Sequence, residues 1–295
     1  MERVIVGFDG SADAELALRW ATRYARDNVA AVTAYLVWST EHCPPAVLRA
    51  AERLDPRGLE IAAARVLSEA VHRHADAGLP RPVDERAVAG EPAAVLLGAT
   101  RSAGLLVLGR HGADRRRHLH GGSVSAECLH RSGVPVVVVR AEAPGSADGP
   151  VVVGVDGSPA SIAALRWAAG QARRHDVPLR VVHSWRPTVS VVAGYPSGLE
   201  HPTLRAAARH VLDSSVAAGL GGDRAKVEPL LVVGGVGGGL IEAAAGAQLL
   251  VVGARGGGGF PDLSVGSIAQ QCVQYAPCPI AVIRGRAGGQ PAGAD

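Results

Sequence analysis

Lysine is almost missing from this sequence: Lys226 stands alone among 30 basic residues, so nearly all positive charge is arginine. No GxxxxGK[ST] stretch occurs, which excludes the lysine-bearing phosphate loop as a route to phosphoryl transfer. Aromatic residues make up only 3% of the chain, too few to build a base-stacking platform, and the net charge is a mere +3. Cysteine is scarce and scattered: Cys43, Cys128, Cys272 and Cys278 form no CxxC pair. That spacing excludes a paired-cysteine zinc site and offers no disulfide framework, leaving buried free thiols. HExxH and GxSxG are absent too, and His72 and His74, two apart on one helix, cannot share a face to hold a metal. No apolar run approaches the roughly 18 residues that would span a bilayer. The opening "MERVIVGFDGS" enters a strand pattern at once rather than a basic and then apolar leader, so the expected compartment is the cytoplasm.

What is present is one domain written twice. "VIVGFDGSADAELALRWAT" from Val4 and "VVVGVDGSPASIAALRWAA" from Val151 agree at eleven of nineteen positions, at an offset of 147. "LLVLG" from Leu105 and "LLVVG" from Leu249 correspond at an offset of 144, as do "GGSVSAECLHRSGVPVVVVR" and "VGSIAQQCVQYAPCPIAVIR". A period this long means two domains rather than a solenoid. The boundaries read as 1–141, a small Pro/Gly linker 142–150, a second domain 151–285, and a disordered tail 286–295.

Short β-branched runs alternate with alanine-rich segments of helical period. Strands are expected at Val4–Phe8, Val32–Trp38, Val83–Ala89, Leu105–Gly109 and Val136–Arg140, with helices at Ala12–Arg26, Leu59–Asp76, Pro92–Ser102 and Ser123–Arg131. The second copy repeats the strands at Val151–Val155, Leu179–Ser184, Val227–Val233, Leu249–Gly253 and Ile280–Arg284. Continuous apolar strands suit a parallel sheet covered on both sides. Each copy is therefore an α/β unit, an open parallel five-stranded sheet with helices on both faces. Trp20 and Trp167, in the shared "LRWA", read as core packing against the sheet, and Arg19 and Arg166 beside them as solvated.

In such sheets ligands bind beyond the carboxyl ends of the strands, where strand order reverses. "GFDGS" and "GVDGS" place Asp9 and Asp156 at the tip of strand one. Two loops leave strand four with contents that differ and a spacing that does not: Gly109, Gly112, then Gly122-Ser123; Gly253, Gly256, then Gly266-Ser267. Glycines there allow positive φ and close approach of backbone to a phosphate. The helix start that follows attracts an anion, and the hydroxyls of Ser123 and Ser267 suit both a helix cap and a phosphate contact. Taken singly, each element is an ordinary turn or cap. It is the ordered pair of sets that points to a nucleotide.

On these residues each half resembles the universal stress protein family, in its ATP-binding branch, whose signature is G-x2-G-x9-G-[ST]. The resemblance covers nearly all of both domains. It implies a Rossmann-like sheet of order 3-2-1-4-5, with ATP, alone or with Mg2+, across the tips of strands one and four. It further implies ribose contact at Asp9 and Asp156, and adenine contact by the backbone of Val37 and Ser184. Phosphate contacts fall on the framing glycines and serines, the backbone of Val124 and Ile268, and Ser125 as a second loop serine. Arg110 and Arg255 stand beside the glycines as further candidates. The resemblance also implies a nucleotide-dependent stress regulator whose domains pair internally and whose chains form a homodimer, with no membrane or nucleic-acid partner.

Three departures qualify this. Ala269 replaces the second serine in the second copy. The first loop is strongly basic, with Arg110, Arg115, Arg116, Arg117, His111, His118 and His120, fit either to clamp a triphosphate or to solvate an exposed loop. "GGVGGGL" stands where the first copy has "GEPAAVL", which weakens the helix start by up to about 1 kcal/mol per glycine. With no catalytic constellation legible, a binding regulator is expected; a slow ATPase and a scaffold with vestigial sites are the alternatives.

Overall fold

Strand β1 (Arg3–Phe8) is apolar on both faces, and Val4, Ile5 and Val6 are buried, as a central parallel strand requires. In the computed structural model, residues 1–41, 43–75, 78–110, 124–140, 142–143, 145–185, 202–221, 226–257 and 265–285 are described. Around β1 the first unit arranges α1 (Ala12–Asn28), β2 (Ala31–Trp38), α2 (Pro45–Ala50), α3 (Pro56–His74), β3 (Asp84–Ala89), α4 (Pro92–Ala99), β4 (Leu105–Gly109), α5 (Val124–Arg131) and β5 (Val136–Val139). All pairings are parallel and the order is β3-β2-β1-β4-β5, with Val4 opposite both Val32 and Leu105. Helices α1 and α3 pack on one another and on the sheet, while α4 and α5 form a second layer.

The second unit repeats the plan with β6 (Val151–Gly154), α6 (Pro159–Arg174), β7 (Leu179–Trp185), α7 (Pro202–Leu220), β8 (Val227–Val233), α8 (Val236–Ala243), β9 (Leu249–Gly253), α9 (Ser267–Tyr275) and β10 (Ile280–Ile283). Its order is β8-β7-β6-β9, with β10 on the far side of β9. Contacts divide the chain into two compact units, built on Met1–Ser146 and on Ala147–Ala276. Among the described residues no helix is long and apolar enough to cross a membrane.

Local chemistry sets the element ends. Ser11 caps α1 by accepting from the Ala14 N–H at 3.2 Å, and Ser158 caps α6 by accepting from Ser161 at the same distance. Asp55 caps α3, with Pro56 at its first position, so that helix starts three residues before the apolar period beginning at Leu59. Cys128, Cys272 and Cys278 are buried thiols and Cys43 is half-buried.

Two expectations about α1 and α6 need correction. Trp20 and Trp167 are only half-buried, and the Trp20 ring lies on Tyr24, one turn along, with centroids 5.3 Å apart. Arg19 and Arg166 are more than solvated: Arg19 Nε donates to Nδ1 of buried His74 at 3.0 Å, and Arg166 donates to the Ala218 carbonyl at 2.9 Å near the end of α7. Each arginine thus ties the first helix of its unit to the long helix that follows strand two. The glycine run, which the structure places inside the start of α8 rather than before it, has a packing role as well. A Cβ on Gly239 would lie 2.8 Å from Ser184 Oγ and 2.9 Å from Val232, and one on Gly237 would strike Gln271.

Candidate functional site

The two sheets end unevenly at their carboxyl edges, and that unevenness makes the site. The last β1–β2 pair is Phe8 with Leu36, whereas Val37 and Trp38 run on beside β3 alone. Likewise β6 and β7 part after Gly154 and Val182, and Ser184 and Trp185 continue beside β8. Gly90 N–H donates to the Trp38 carbonyl and Gly234 N–H to that of Trp185, both on the outer side. Backbone groups alternate edges along a strand, so those of Val37 and Ser184 face inward, above the tips of β1 and β6. Both side chains are buried. His183 Nδ1 sits 2.7 Å from the Val155 carbonyl, fixing the residue just before Asp156.

Asp9 and Asp156 occupy those tips. Each accepts on Oδ1 from the N–H two residues on, Ser11 and Ser158, at 3.0 Å, and the glycine between them is left-handed, with φ of 78° at Gly10 and 79° at Gly157. Over the first turn lies α2, which the periodicity missed because it is only six residues long: a Cβ on Gly10 would stand 2.5 Å from that of Ala46. Further hydrogen bonds hold the Asp156 turn. Asp156 Oδ1 also accepts from the Ser158 hydroxyl at 2.5 Å, Oδ2 accepts from the Gly257 N–H at 2.7 Å, and the Asp156 N–H donates to Ser161 Oγ at 3.3 Å. Partial burial pushes this carboxyl up, but the hydrogen bonds from Ser158 and Gly257 outweigh it and hold the group below the usual aspartate range.

The framing glycines turn out to serve close approach rather than unusual backbone angles. Gly109, Gly253, Gly256 and Gly266 all lie outside the left-handed region, which corrects the expectation of positive φ. A Cβ on Gly109 would sit 2.8 Å from Ala14 N, one on Gly253 3.0 Å from Ala160 C, and one on Gly256 2.6 Å from Asp156 Oδ2. The first glycine of each frame therefore admits the start of α1 or α6, and the second, in the second unit, admits the carboxylate. Gly112, Gly122 and Ser123 lie outside the described residues, as do Arg115 to His120 and His111.

The ends of the second frame meet. Gly266 N–H donates to the Ala254 carbonyl at 2.8 Å, while Ala254 N–H donates to Ile283 at 2.7 Å. Gly266 itself is the N-cap of α9, with no side-chain cap, and exposed Ser267 is the first helical residue; the expectation that Ser267 caps the helix is corrected accordingly. The first-turn amides of α9, including Ile268, are thus not spent on a capping side chain. In the first unit the equivalent tie is Ser125, whose buried hydroxyl donates to the Arg110 carbonyl at 3.1 Å, while Arg110 N–H donates to Val139 at 2.9 Å. Val124 opens α5 and is partly exposed. Ala269, in place of a serine, is buried, so what the second unit lacks there is an internal tie. Arg255 is exposed next to Gly256, and its charge, after burial, is the second cause lowering the pKa of half-buried Arg284 at the end of β10.

The second unit therefore brings Asp156, Ser184, Gly253, Arg255, Gly256, Gly266, Ser267 and Ile268 to one sheet edge. Sequence reasoning overlooked Gly257, Ser158 and Ser161 around the carboxylate; the serine of "DGS" was the available signal. Such an edge offers a carboxylate for hydroxyl donors, inward backbone groups for a base edge, and amides with arginines for anions. Among the described residues no group of three His, Cys, Asp or Glu side chains could hold a metal.

The universal stress protein family model matches residues 1–140 and 149–284. A universal stress protein of Mycobacterium tuberculosis (strain H37Rv) is 32% identical over 292 residues, which is 95% of this chain and 96% of that protein. One from Mycolicibacterium smegmatis is 30% identical over 295 residues, covering 96% and 97%. Among solved structures, a universal stress protein from Archaeoglobus fulgidus aligns with a TM-score of 0.68 over 96% of this chain and 98% of that one; at 18% identity it speaks for the fold alone.

Proposed function

This chain belongs to the universal stress protein family in both halves, and from that premise we propose that it is an ATP-binding regulator of a stress response rather than an enzyme. Asp9 and Asp156 take the ribose hydroxyls, and the inward backbone of Val37 and Ser184 reads the adenine edge. Gly109, Arg110, Gly112, Gly122, Ser123, Val124 and Ser125 cradle phosphates in the domain 1–141; Gly253, Arg255, Gly256, Gly266, Ser267 and Ile268 do so in the domain 151–285. Any Mg2+ is carried by the phosphates, the usual habit of that ion. Occupancy changes loop order, and with it pairing of the domains, of two chains as a cytoplasmic homodimer, or of a partner.

One observation supports the reading above the rest. Asp156 and the glycine loop meet within hydrogen-bond distance at the gap between β6 and β9, where strand order reverses, directly beside the overrunning end of β7. Equilibrium dialysis of nucleotide-stripped chain against labelled ATP tests it. Saturation near two ATP per chain is expected, falling to one in either Asp9→Ala or Asp156→Ala. No saturable binding at millimolar ATP would leave a scaffold, and phosphate release lost in Gly122→Glu would favour a slow ATPase.

A further inference from the structure

Equivalent arginines tie equivalent helices in the two units, but to different acceptors. Arg19 and Arg166 stand in the shared "LRWA", 147 residues apart. Arg166 donates to a backbone carbonyl, that of Ala218, at 2.9 Å. Arg19 Nε donates instead to His74 Nδ1, at 3.0 Å. A carbonyl accepts at any pH, whereas an imidazole nitrogen accepts only while it carries no proton. A guanidinium has donors alone, so the His74 ring is neutral, with its proton on Nε2. That nitrogen lies 3.6 Å from Glu15 Oε2, and the side chain is only 3% exposed. Arg73 holds Glu15 in turn, at 3.2 Å.

Burial first, then the Arg19 charge and, less, that of Arg73 keep the ring below the usual histidine range against the pull of Glu15. The other elements packed on α3 contribute Arg49 from α2, Tyr35 from β2, and Asp84, Glu85 and Arg86 from β3. The three on β3 are exposed, and Asp84 pairs with Arg86 at 3.0 Å. The tie stands behind the first candidate site. Helix α1 begins just past the Asp9 turn, α2 lies over Gly10, and α2 is held to α3 by Arg65, which donates to the Ala50 carbonyl. The Asp9 turn therefore sits between two helices that α3 joins.

We propose that His74 is an acid switch for the first unit alone: a proton on Nδ1 expels Arg19 and frees α1 from α3, while α6 and α7 stay joined. The protonated ring turns an N–H toward the Arg19 N–H, so two donors and two positive charges face one another in a buried place. Glu15 is drawn to the new charge, but it approaches the other nitrogen and cannot restore the lost tie. The device holds whatever ligand the site takes.

The test follows backbone amide exchange in the full chain at pH 7.5 and 5.5, each rate being divided by that of an unstructured peptide at the same pH. An exposed histidine, of pKa about 6.5, is about tenfold more protonated than neutral at pH 5.5, which sets the ceiling on the effect. Protection of the α1 amides around Arg19 and the α3 amides before His74 is expected to fall about five- to tenfold between the two conditions, and that of α6 and α7 by less than about twofold. His74→Gln, whose side-chain oxygen accepts from Arg19 and does not titrate, is expected to hold α1 protection within about twofold across the same range. Unchanged α1 protection in the wild type overturns the switch, as does an equal fall in His74→Gln or in the second unit. Should the variant not fold, the wild-type ring decides: nitrogen NMR shifts follow His74 Nδ1 while exchange of the Arg19 Nε–H is read beside it. A common midpoint supports the switch, and a proton arriving with Arg19 exchange unmoved overturns it.

Discussion

Gly109→Ala separates packing from ligand binding at a tightly packed glycine of the first frame. The added Cβ would lie 2.8 Å from Ala14 N, and 2.9 Å from Asp13 C and Cβ. Two of these three are backbone atoms in the first turn of α1, which cannot swing aside as the end of a long side chain can. Either β4 or the start of α1 must shift by several tenths of an ångström. Overpacking of this kind costs about 1–3 kcal/mol. For a unit of this size, each kcal/mol moves the melting point by about 3 °C, so calorimetry of the full chain should show the first unit melting about 3–10 °C lower. Gly253→Ala meets milder contacts, 3.0 Å from Ala160 C and 3.1 Å from Ser161 N, and should cost the second unit less. Gly238→Ala is the control: nothing lies within 4 Å of its Cβ, and a helical alanine should stabilise by about 0.5–1 kcal/mol. A first-unit transition within about 1 °C of wild type in Gly109→Ala would refute the packing argument. If ATP stoichiometry fell at the same time, the glycine would owe its place to the ligand instead.

The remaining predictions concern titration, capping and thiols. Burial first, and then the Arg19 charge, hold His74 below the usual histidine range against the pull of Glu15. A base whose folded pKa is depressed takes its proton first in the unfolded chain, so this contribution to stability is full above about pH 6.5 and is lost as pH falls below it; urea midpoints should drop more from pH 7.5 to 5.5 in wild type than in His74→Gln, and equal drops would contradict the assignment. Ser158→Ala removes the α6 cap and a donor to Asp156, which should cost the second unit about 1 kcal/mol and raise the depressed Asp156 pKa, the latter read by carboxyl NMR titration; an unmoved titration would show that the hydroxyl does not set it. Burial pushes the Cys128 and Cys272 thiols up to about 12, so at pH 8 both should resist a thiol reagent until the chain unfolds, and labelling of either in the native chain would show the burial to be wrong.

Most of the fold was legible because parallel strands buried on both faces write themselves as unbroken apolar runs, and because the chain states its plan twice. The strand bounds at Leu105–Gly109 and Leu249–Gly253 coincide with the observed ones for that reason. Elements whose ends are set by single side chains were harder. Helix α3 starts at Pro56 because Asp55 caps it, while the apolar period shows only from Leu59, and α2 is too short to show a period at all. Glycine positions were legible, but their reasons were not. A sequence shows that residue 109 must be small; only the approach of Ala14 shows what it makes room for.

The same limit hides how far the two copies have diverged beneath an unchanged frame. Val37 and Val95 of the first copy correspond to Ser184 and Gly239 of the second. In the second unit these two meet: the Ser184 hydroxyl is buried without a hydrogen-bond partner, and a Cβ on Gly239 would lie 2.8 Å from it. A buried hydroxyl left unpaired costs about 1–3 kcal/mol, and the glycine adds a weak point in the first turns of α8. Neither cost arises with a pair of valines. Read along the chain, Val37→Ser and Val95→Gly are two unrelated differences 58 residues apart. Read in the structure they are one change, directly beneath the strand end that overruns β6. The second unit thus carries its destabilising residues at the base of the candidate site, while at the mouth Asp156 accepts from Ser158 and Gly257 and its own N–H donates to Ser161 Oγ. A site softened below and tied above depends on those ties for its shape.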